Sequence, residues 1–249
     1  MPYFFSAGVK LYYLEQGAGE PVIMIHGLAS HAEHSWGATS WIERLSRNYR
    51  VLALDCRGHG RSERFYEPEA YSLEKVTSDV IALLDHAGCG KAHVLGYSMG
   101  GWAALGLAVH YQERLKSVVA GGTNATIALP ADYDRIEREA QALISAYSGP
   151  GGDHGRMLLG LCRRTGNDPA AIAAFLRRRR EGIDPAGLGA IRIPVLLVAG
   201  TEDRLSRNVG ELQAMIPGAR LLMLTRRNHM NAPVYPAFKD AVEEFFARH

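Results

Sequence analysis

The sequence has few cysteines, almost no net charge and no long apolar segment, and each shortage excludes a class of protein. Its 249 residues include 3 Cys, and 28 Lys and Arg against 26 Asp and Glu give a formal net charge of +2. So small a charge creates no field that would attract nucleic acid or an anionic membrane. No apolar run approaches the ~20 residues of a membrane span. We therefore expect neither a nucleic-acid nor a membrane partner.

The three cysteines do not form the pattern of a disulfide framework or a thiolate metal site. Cys56, Cys89 and Cys162 are odd in number, widely spaced and without a C-x-x-C pair, so we interpret them as small buried apolar residues. Residues 1–17 contain two runs rich in Tyr and Phe, separated by Ala7 and Gly8. This pattern predicts a β-hairpin rather than a signal peptide, and a cytoplasmic location is the expectation.

What the sequence does contain is a regular alternation of short apolar runs with longer amphipathic ones. Apolar residues make up 47% of the chain and charged residues 22%, which is typical of a globular protein with one sizeable core. Strands are predicted over residues 22–25, 51–54, 93–95, 117–120, 195–199 and 220–224. Helices are predicted over residues 40–45, 73–87, 100–110, 209–215 and 236–247. Such alternation favours an α/β fold, with a mostly parallel sheet flanked by helices.

The stretch 123–190 interrupts this alternation, because it contains helical patterns but no convincing strand. One helix is predicted over residues 132–147, another begins at Asp168 with Pro169 in its first turn, and the Gly-rich residues 149–152 form a loop. The arginine run 177–180 is interpreted as a solvated helix face, since the same stretch also carries many acidic residues. We therefore divide the chain into a core, 1–122 and 191–249, and a helical insertion, 123–190.

A serine occupies the centre of a G-x-S-x-G sequence at residues 96–100, directly after one predicted strand and directly before a helix. A sharp strand-to-helix turn strains the backbone of Ser98, and the flanking glycines let neighbouring backbone approach without a clash. The hydroxyl then points out of the sheet at the positive end of a helix, where it is placed for attack. This context predicts a nucleophile at Ser98.

With three further motifs, the chain resembles the capped, esterase-like members of the α/β-hydrolase superfamily over nearly its whole length. His26, Gly27 and Leu28 follow a strand where that family places its first oxyanion loop. Residues 55–62 are similar to the family's D-x-R-G-x-G-x-S turn. Asp203 and His229 follow the last two predicted strands. The resemblance implies the α/β-hydrolase fold, with the insertion 123–190 as a helical cap over the site.

The resemblance also implies a role for each site residue. Ser98, Asp203 and His229 stand in the family's order of nucleophile, acid and base. Glu202 is a competing acid, but the family pattern favours the fourth position of its loop, and residues 121–124 after the preceding strand include no carboxylate. The backbone N–H groups of Leu28 and Met99 would stabilise the negative charge of a tetrahedral intermediate.

The expected reaction is hydrolysis of a small-molecule carboxylic ester or lactone through an acyl-enzyme on Ser98. Related hydrolases with the same constellation act on C–C bonds or enol-lactones or as cofactor-free perhydrolases and hydroxynitrile lyases, so these alternatives stay open beside a non-catalytic ligand-binding module. A serine at the turn excludes the aspartate-based dehalogenases and epoxide hydrolases.

No cofactor is implied by any motif, and no metal site. His31 and His34 do not match H-E-x-x-H and are interpreted as exposed loop histidines. Tyr97 and Trp102, beside the serine, are candidates for substrate contact, although Trp102 is more typical of a core position. The apolar insertion positions proposed to line a pocket are Ile127, Leu129, Ile136, Leu143, Ile144, Leu158 and Phe175. A homodimer stays open.

Overall fold

The computed structural model describes residues 2–129, 133–148, 153–178 and 182–249. The chain begins with the predicted hairpin, in which β1 (Tyr3–Ser6) pairs antiparallel with β2 (Val9–Gln16). Ala7 and Gly8 connect the two strands with φ angles of 46° and 85°. Two positive φ angles in a two-residue loop match the right-handed twist of the flanking strands. The hairpin prediction is confirmed.

The hairpin and six further strands form one sheet. All six predicted strands are present, the last with the predicted bounds and the other five with slightly wider ones. They are β3 (Glu20–Ile25), β4 (Tyr49–Leu54), β5 (Ala92–Tyr97), β6 (Leu115–Gly121), β7 (Val195–Gly200) and β8 (Arg220–Leu224). The order across the sheet is β1-β2-β4-β3-β5-β6-β7-β8. Every pairing from β4 to β8 is parallel, while β2 is antiparallel to β4. The carboxyl ends of the parallel strands therefore share one edge, where ligands bind in such sheets.

Helices cover both faces of the sheet. In chain order they are α1 (Trp41–Leu45), α2 (Leu73–His86), α3 (Met99–His110), α4 (Tyr133–Ser148), α5 (Asp153–Thr165), α6 (Pro169–Arg177), α7 (Pro185–Gly189), α8 (Val209–Met215) and α9 (Pro236–Phe246). In β3, Ile23 and Ile25 pack on the face covered by α2 and α3, and Val22 and Met24 pack on the face covered by α1 and α9. Because successive strand residues point to opposite faces, a strand buried on both is apolar throughout.

The described part of the stretch 123–190 contains helices α4 to α7 and no strand. Helices α4, α5 and α6 share a small apolar cluster with Ala29 of the loop after β3, and the cluster includes Leu143 from α4, Leu158 from α5 and Ile172 from α6. Helices α5 and α7 were not predicted from the sequence. The first predicted residue of the helix 132–147 and the predicted loop 149–152 lie outside the described residues. The boundary between core and cap stays a prediction.

Of the arginine run 177–180, the structure describes Arg177 and Arg178, and the predicted solvated helix face is wrong for Arg178. Arg177 ends α6 and forms an ion pair with Glu137 at 2.8 Å. Arg178 is buried, with its guanidinium carbon 3.8 Å from the ring centre of Phe175 and 4.4 Å from that of Trp102. Stacking on two aromatic faces compensates a guanidinium for the water that it loses. Residues 179 and 180 lie outside the described residues.

The cysteine prediction is confirmed, because Cys56, Cys89 and Cys162 are all buried and free. Burial raises the pKa of each thiol, and that of Cys162 reaches about 11. A buried thiol with a raised pKa is chemically inert at neutral pH. Among the helices of the described ranges, none is long and apolar enough to cross a membrane.

Candidate active site

Ser98 lies in a sharp turn between β5 and α3, with φ of 57° and ψ of −114°. The turn is tight enough to require the two glycines around it. A Cβ atom on Gly96 would lie 2.0 Å from the carbonyl oxygen of Gly100, and one on Gly100 would lie 1.9 Å from that of Ile25. No side chain fits at these distances, so the backbone packing itself demands the G-x-S-x-G pattern.

Ser98, His229 and Asp203 are joined by two hydrogen bonds. The Ser98 Oγ atom lies 2.9 Å from Nε2 of His229, and the Nδ1 atom of the same ring lies 2.9 Å from Oδ2 of Asp203. The three side chains come from the ends of β5, β8 and β7, which meet at the carboxyl edge of the sheet. The carboxylate only accepts hydrogen bonds, so His229 donates through Nδ1, and its Nε2 accepts the Ser98 hydroxyl proton.

Asp203 is held as a carboxylate by its hydrogen bonds. Burial alone would raise its pKa, but donors from His229, Ser206 and the Leu205 N–H outweigh burial, so the pKa lies below its usual value. Glu202, the competing acid, is exposed to solvent, whereas Asp203 is 3% exposed. The structure therefore brings Asp203, and not Glu202, to the histidine.

Two backbone segments adjoin Ser98. Met99 is the first residue of α3, directly after the serine. Residues 27–30 form a tight turn, closed by a hydrogen bond of 3.2 Å from the Ser30 N–H to the Gly27 carbonyl. A Cβ atom on Gly27 would lie 3.5 Å from the Ser98 Cβ, so this turn packs directly against the serine. Within the described ranges, the N–H groups of Leu28 and Met99 have no acceptor.

Residues 22–248 match the alpha/beta hydrolase family. The chain belongs to that family. The hydrolase is 30% identical over 215 residues to 3-oxoadipate enol-lactonase 2 of Acinetobacter baylyi, covering 80% of this chain and 79% of the relative. It is 28% identical over 218 residues to 2-hydroxy-6-oxo-6-(2'-aminophenyl)hexa-2,4-dienoic acid hydrolase of Metapseudomonas resinovorans, covering 80% and 73%.

Solved structures give the same fold. A hydrolase from Pseudomonas aeruginosa PA01 superposes with a TM-score of 0.81 at 27% identity, covering 98% of this chain and 97% of the other. The enol-lactonase from Burkholderia xenovorans LB400 superposes with a TM-score of 0.80 at 23% identity, covering 99% and 100%. The expected α/β-hydrolase fold is confirmed.

The D-x-R-G-x-G-x-S turn of the hydrolase supports the site without entering it. Asp55 accepts the N–H groups of Ala32 and Arg61 at 2.7 and 2.9 Å, and so links this turn to the loop after β3. His26 makes a second link, because its Nε2 accepts the Cys56 N–H at 3.0 Å and its Nδ1 donates to the Gly27 carbonyl at 2.8 Å. Burial lowers the pKa of His26 to about 4, so the ring stays neutral.

Tyr97 contacts the histidine of the hydrolase. Its hydroxyl donates to the carbonyl oxygen of His229 at 2.8 Å, and the two ring centres are 5.2 Å apart. From the sequence, Tyr97 was a candidate for substrate contact, and its hydrogen bond to His229 was not predicted. The position of Tyr97 beside Ser98 in the motif does not indicate this hydrogen bond, since its two partners lie 132 positions apart in the sequence. Trp102 is partly buried against the core, with Phe175 and Arg178 beside its ring.

The other residues singled out in the sequence take ordinary structural places in the hydrolase. His31 and His34 are partly buried rather than exposed, with ring centres 6.0 Å apart. No cluster of three potential metal ligands occurs among the described residues. Of the apolar positions proposed to line a pocket, Ile136, Leu143, Leu158 and Phe175 are buried in the packing, while Leu129 is 54% exposed.

Proposed function

We propose that this hydrolase cleaves carboxylic esters through an acyl-enzyme on Ser98. The observation that carries the proposal is the chain of two 2.9 Å hydrogen bonds from Ser98 through His229 to Asp203. A serine hydroxyl is a weak nucleophile at neutral pH until an adjacent base takes its proton. His229 is the base within reach, and Asp203 keeps its ring in the tautomer that can accept that proton.

In the first half of the reaction, Ser98 Oγ attacks the acyl carbon and its proton passes to His229 Nε2. The carbonyl oxygen becomes an oxyanion, and the free N–H groups of Leu28 and Met99 donate to it. Collapse of the tetrahedral intermediate breaks the bond to the alcohol. The leaving oxygen takes the proton from His229, and an acyl ester remains on Ser98.

In the second half, a water molecule takes the place of the alcohol. His229 accepts a proton from that water as its oxygen attacks the acyl ester, and the same two N–H groups stabilise the second oxyanion. Breakdown returns the proton to Ser98 Oγ and releases the carboxylic acid. The site thus ends each cycle in its starting protonation state, without a cofactor.

A lactone is a cyclic ester, so the same steps open it. The similarity to 3-oxoadipate enol-lactonase 2 at 30% identity supports a lactone as one substrate class. A second candidate function is hydrolysis of a C–C bond in a vinylogous diketone, which the 28% identity to a 2-hydroxy-6-oxo-hexa-2,4-dienoic acid hydrolase favours. A non-catalytic ligand-binding role has less support, since binding alone does not require the intact serine, histidine and aspartate chain.

A substrate panel decides between these functions. We expect turnover of p-nitrophenyl esters of graded acyl length or of a five-membered lactone by the wild type, and a loss of several orders of magnitude in Ser98→Ala. The control is Ser78→Ala, which removes a serine hydroxyl from α2 whose contact with Tyr111 is long, at 3.4 Å, and which should leave turnover within twofold of the wild type. Turnover of the vinylogous diketone alone would move the assignment to the second candidate. Ester turnover by Ser98→Ala within tenfold of the wild type would contradict the proposal.

A further inference from the structure

The junction between α5 and α6 is a short, tightly built connection. Helix α5 ends at Thr165, Gly166 follows with φ of 70°, and the Asn167 N–H donates to the Cys162 carbonyl at 3.1 Å. Asp168 then caps α6, because its Oδ1 accepts the Ala170 N–H at 2.8 Å. A helix stop and a helix start in four residues leave the backbone of Asn167 little freedom.

The Asn167 side chain links this junction to two loops of the sheet edge. It is 5% exposed, and its amide makes three hydrogen bonds. Nδ2 donates to the Ser30 carbonyl at 3.1 Å and to the Thr165 hydroxyl at 2.9 Å, and Oδ1 accepts the Gly60 N–H at 2.8 Å. Both amide protons are used, and the partners Ser30 and Gly60 lie 137 and 107 positions away.

The segment that Asn167 holds is the strained turn beside the nucleophile. Ala29, the third residue of the turn 27–30, has φ of 56° and is fully buried. Glycine is usual at such a position, and another residue keeps that conformation only when its surroundings enforce it. The surroundings here belong to α5 and the junction, since Thr165 Oγ1 lies 2.9 Å from the Ala29 carbonyl and Ala29 packs in the apolar cluster of α4, α5 and α6.

We infer that Asn167 is a positioning residue that fixes the turn 27–30, and with it the Leu28 N–H, for the oxyanion. The inference rests on the proposed function. Asn167 holds the carbonyl of Ser30, and Thr165 contacts the carbonyl of Ala29. The N–H of Leu28 belongs to the residue directly before these two. A displacement of about 1 Å at a reacting group lowers rates by up to about a hundredfold. Asn167 therefore acts on kcat and not on ground-state binding.

The test compares Asn167→Ala with Asp168→Ala, using p-nitrophenyl acetate as the probe. Asp168→Ala is the matched control, because it removes the cap of α6 and the 2.9 Å hydrogen bond from Tyr66 without touching the turn. We expect kcat to fall about ten- to a hundredfold in Asn167→Ala with KM within threefold of the wild type. In Asp168→Ala, kcat should stay within twofold. A kcat of Asn167→Ala within twofold of the wild type, or an equal fall in both variants, would overturn the inference.

A second variant, Asn167→Asp, covers the case in which the alanine variant does not fold. Asp keeps the shape of the side chain and the acceptor for Gly60, but it donates to the Ser30 carbonyl only when protonated. The ratio of its kcat to that of the wild type should therefore rise at least threefold from pH 8 to pH 5.5. A purely structural role would leave this ratio constant, and a constant ratio would contradict the inference.

Failure of the proposed function is distinguishable from failure of this inference. If the wild type does not turn over p-nitrophenyl acetate, the rate at which a fluorophosphonate labels Ser98 replaces kcat in the same comparison. A wild type that is neither active nor labelled overturns the proposed function and this inference with it. A wild type that is active or labelled, with Asn167→Ala reacting equally fast, overturns only the role of Asn167.

Discussion

At the scale of single residues, the site depends on which of two adjacent carboxylates orients His229. We predict that Asp203→Asn lowers kcat/KM by about 10⁴, because an amide in this place permits the wrong tautomer of the ring. Glu202→Gln is the matched control, since Glu202 is the exposed neighbour and should leave the rate within twofold. Near-normal activity of Asp203→Asn, measured with the best ester of the panel, would show that another group orients the base.

Tyr97 provides a second prediction, on the far side of the same histidine. Tyr97→Phe removes the hydroxyl that donates to the His229 carbonyl at 2.8 Å. We expect a loss of about 1 kcal/mol in the free energy of unfolding and a fall of about three- to tenfold in kcat, since the loop that carries the base loses one fixed point.

Tyr111→Phe serves as the control for Tyr97→Phe. Tyr111 directly follows α3, at the end away from Ser98. The hydroxyl that the variant deletes makes only a long contact with Ser78, at 3.4 Å. Urea unfolding and steady-state kinetics measure both effects. Equal behaviour of the two variants would remove Tyr97 from the support of the base.

At the scale of elements, the turn from β5 into α3 is the feature least tolerant of change. Gly100→Ala would place a Cβ atom 1.9 Å from the Ile25 carbonyl oxygen, so we predict destabilisation by about 3 kcal/mol or more. Gly210→Ala in α8 is the control, because nothing lies within 4 Å of its Cβ position. That variant should gain about 0.5 to 1 kcal/mol from the helix propensity of alanine. Urea denaturation measures the free energy of unfolding of both variants. A Gly100→Ala protein as stable as the wild type would contradict the geometry of the turn.

The sheet was predictable from the sequence because its strands are buried on both faces and appear as short apolar runs between turn residues. Helix α5 was missed because its own sequence gives only a weak helical signal. Its residues include Gly155 and Gly160, which disfavour helix, and its apolar positions Leu158, Leu159 and Cys162 are buried in a cluster that they form with α4, α6 and Ala29. The spacing of those three residues was the signal available.

Part of the site was predictable because its residues follow predicted strands. Ser98, Asp203 and His229 each follow a strand, and the parallel sheet brings the strand ends together. The contacts of Arg178 with Trp102 and of Asn167 with Ser30 join residues more than seventy positions apart. No local pattern marks such pairs, because tertiary packing alone decides them.

At the scale of the whole molecule, two buried histidines make stability depend on pH. Burial lowers the pKa of His26 to about 4 and that of His59 to about 3, whereas an unfolded chain protonates histidine near ~6.5. Between these values the unfolded state binds more protons than the folded state, so stability falls as the pH falls. Between a pH of ~6.5 and its folded pKa, each histidine lowers the free energy of unfolding by about 1.4 kcal/mol for each unit that the pH falls.

The matching variant is His59→Asn, whose side-chain amide still donates to the Arg57 carbonyl that His59 Nδ1 contacts at 3.0 Å. We predict that the wild type loses about 1 to 2 kcal/mol more than this variant between pH 6.5 and pH 5, measured by urea unfolding. Asp55, whose pKa burial raises, opposes the trend in both proteins. Parallel stability curves would mean that His59 is protonated in the folded state.

Covalent labelling with a fluorophosphonate tests directly whether Ser98 is the nucleophile. Ser30 is the informative competitor, because its hydroxyl also contacts a histidine, with Oγ 2.9 Å from Nδ1 of His34. We expect one adduct per chain on the peptide that contains Ser98, none in Ser98→Ala, and loss of activity in step with labelling. An adduct on the Ser30 peptide, or active protein that takes up no label, would show that Ser98 is not the nucleophile.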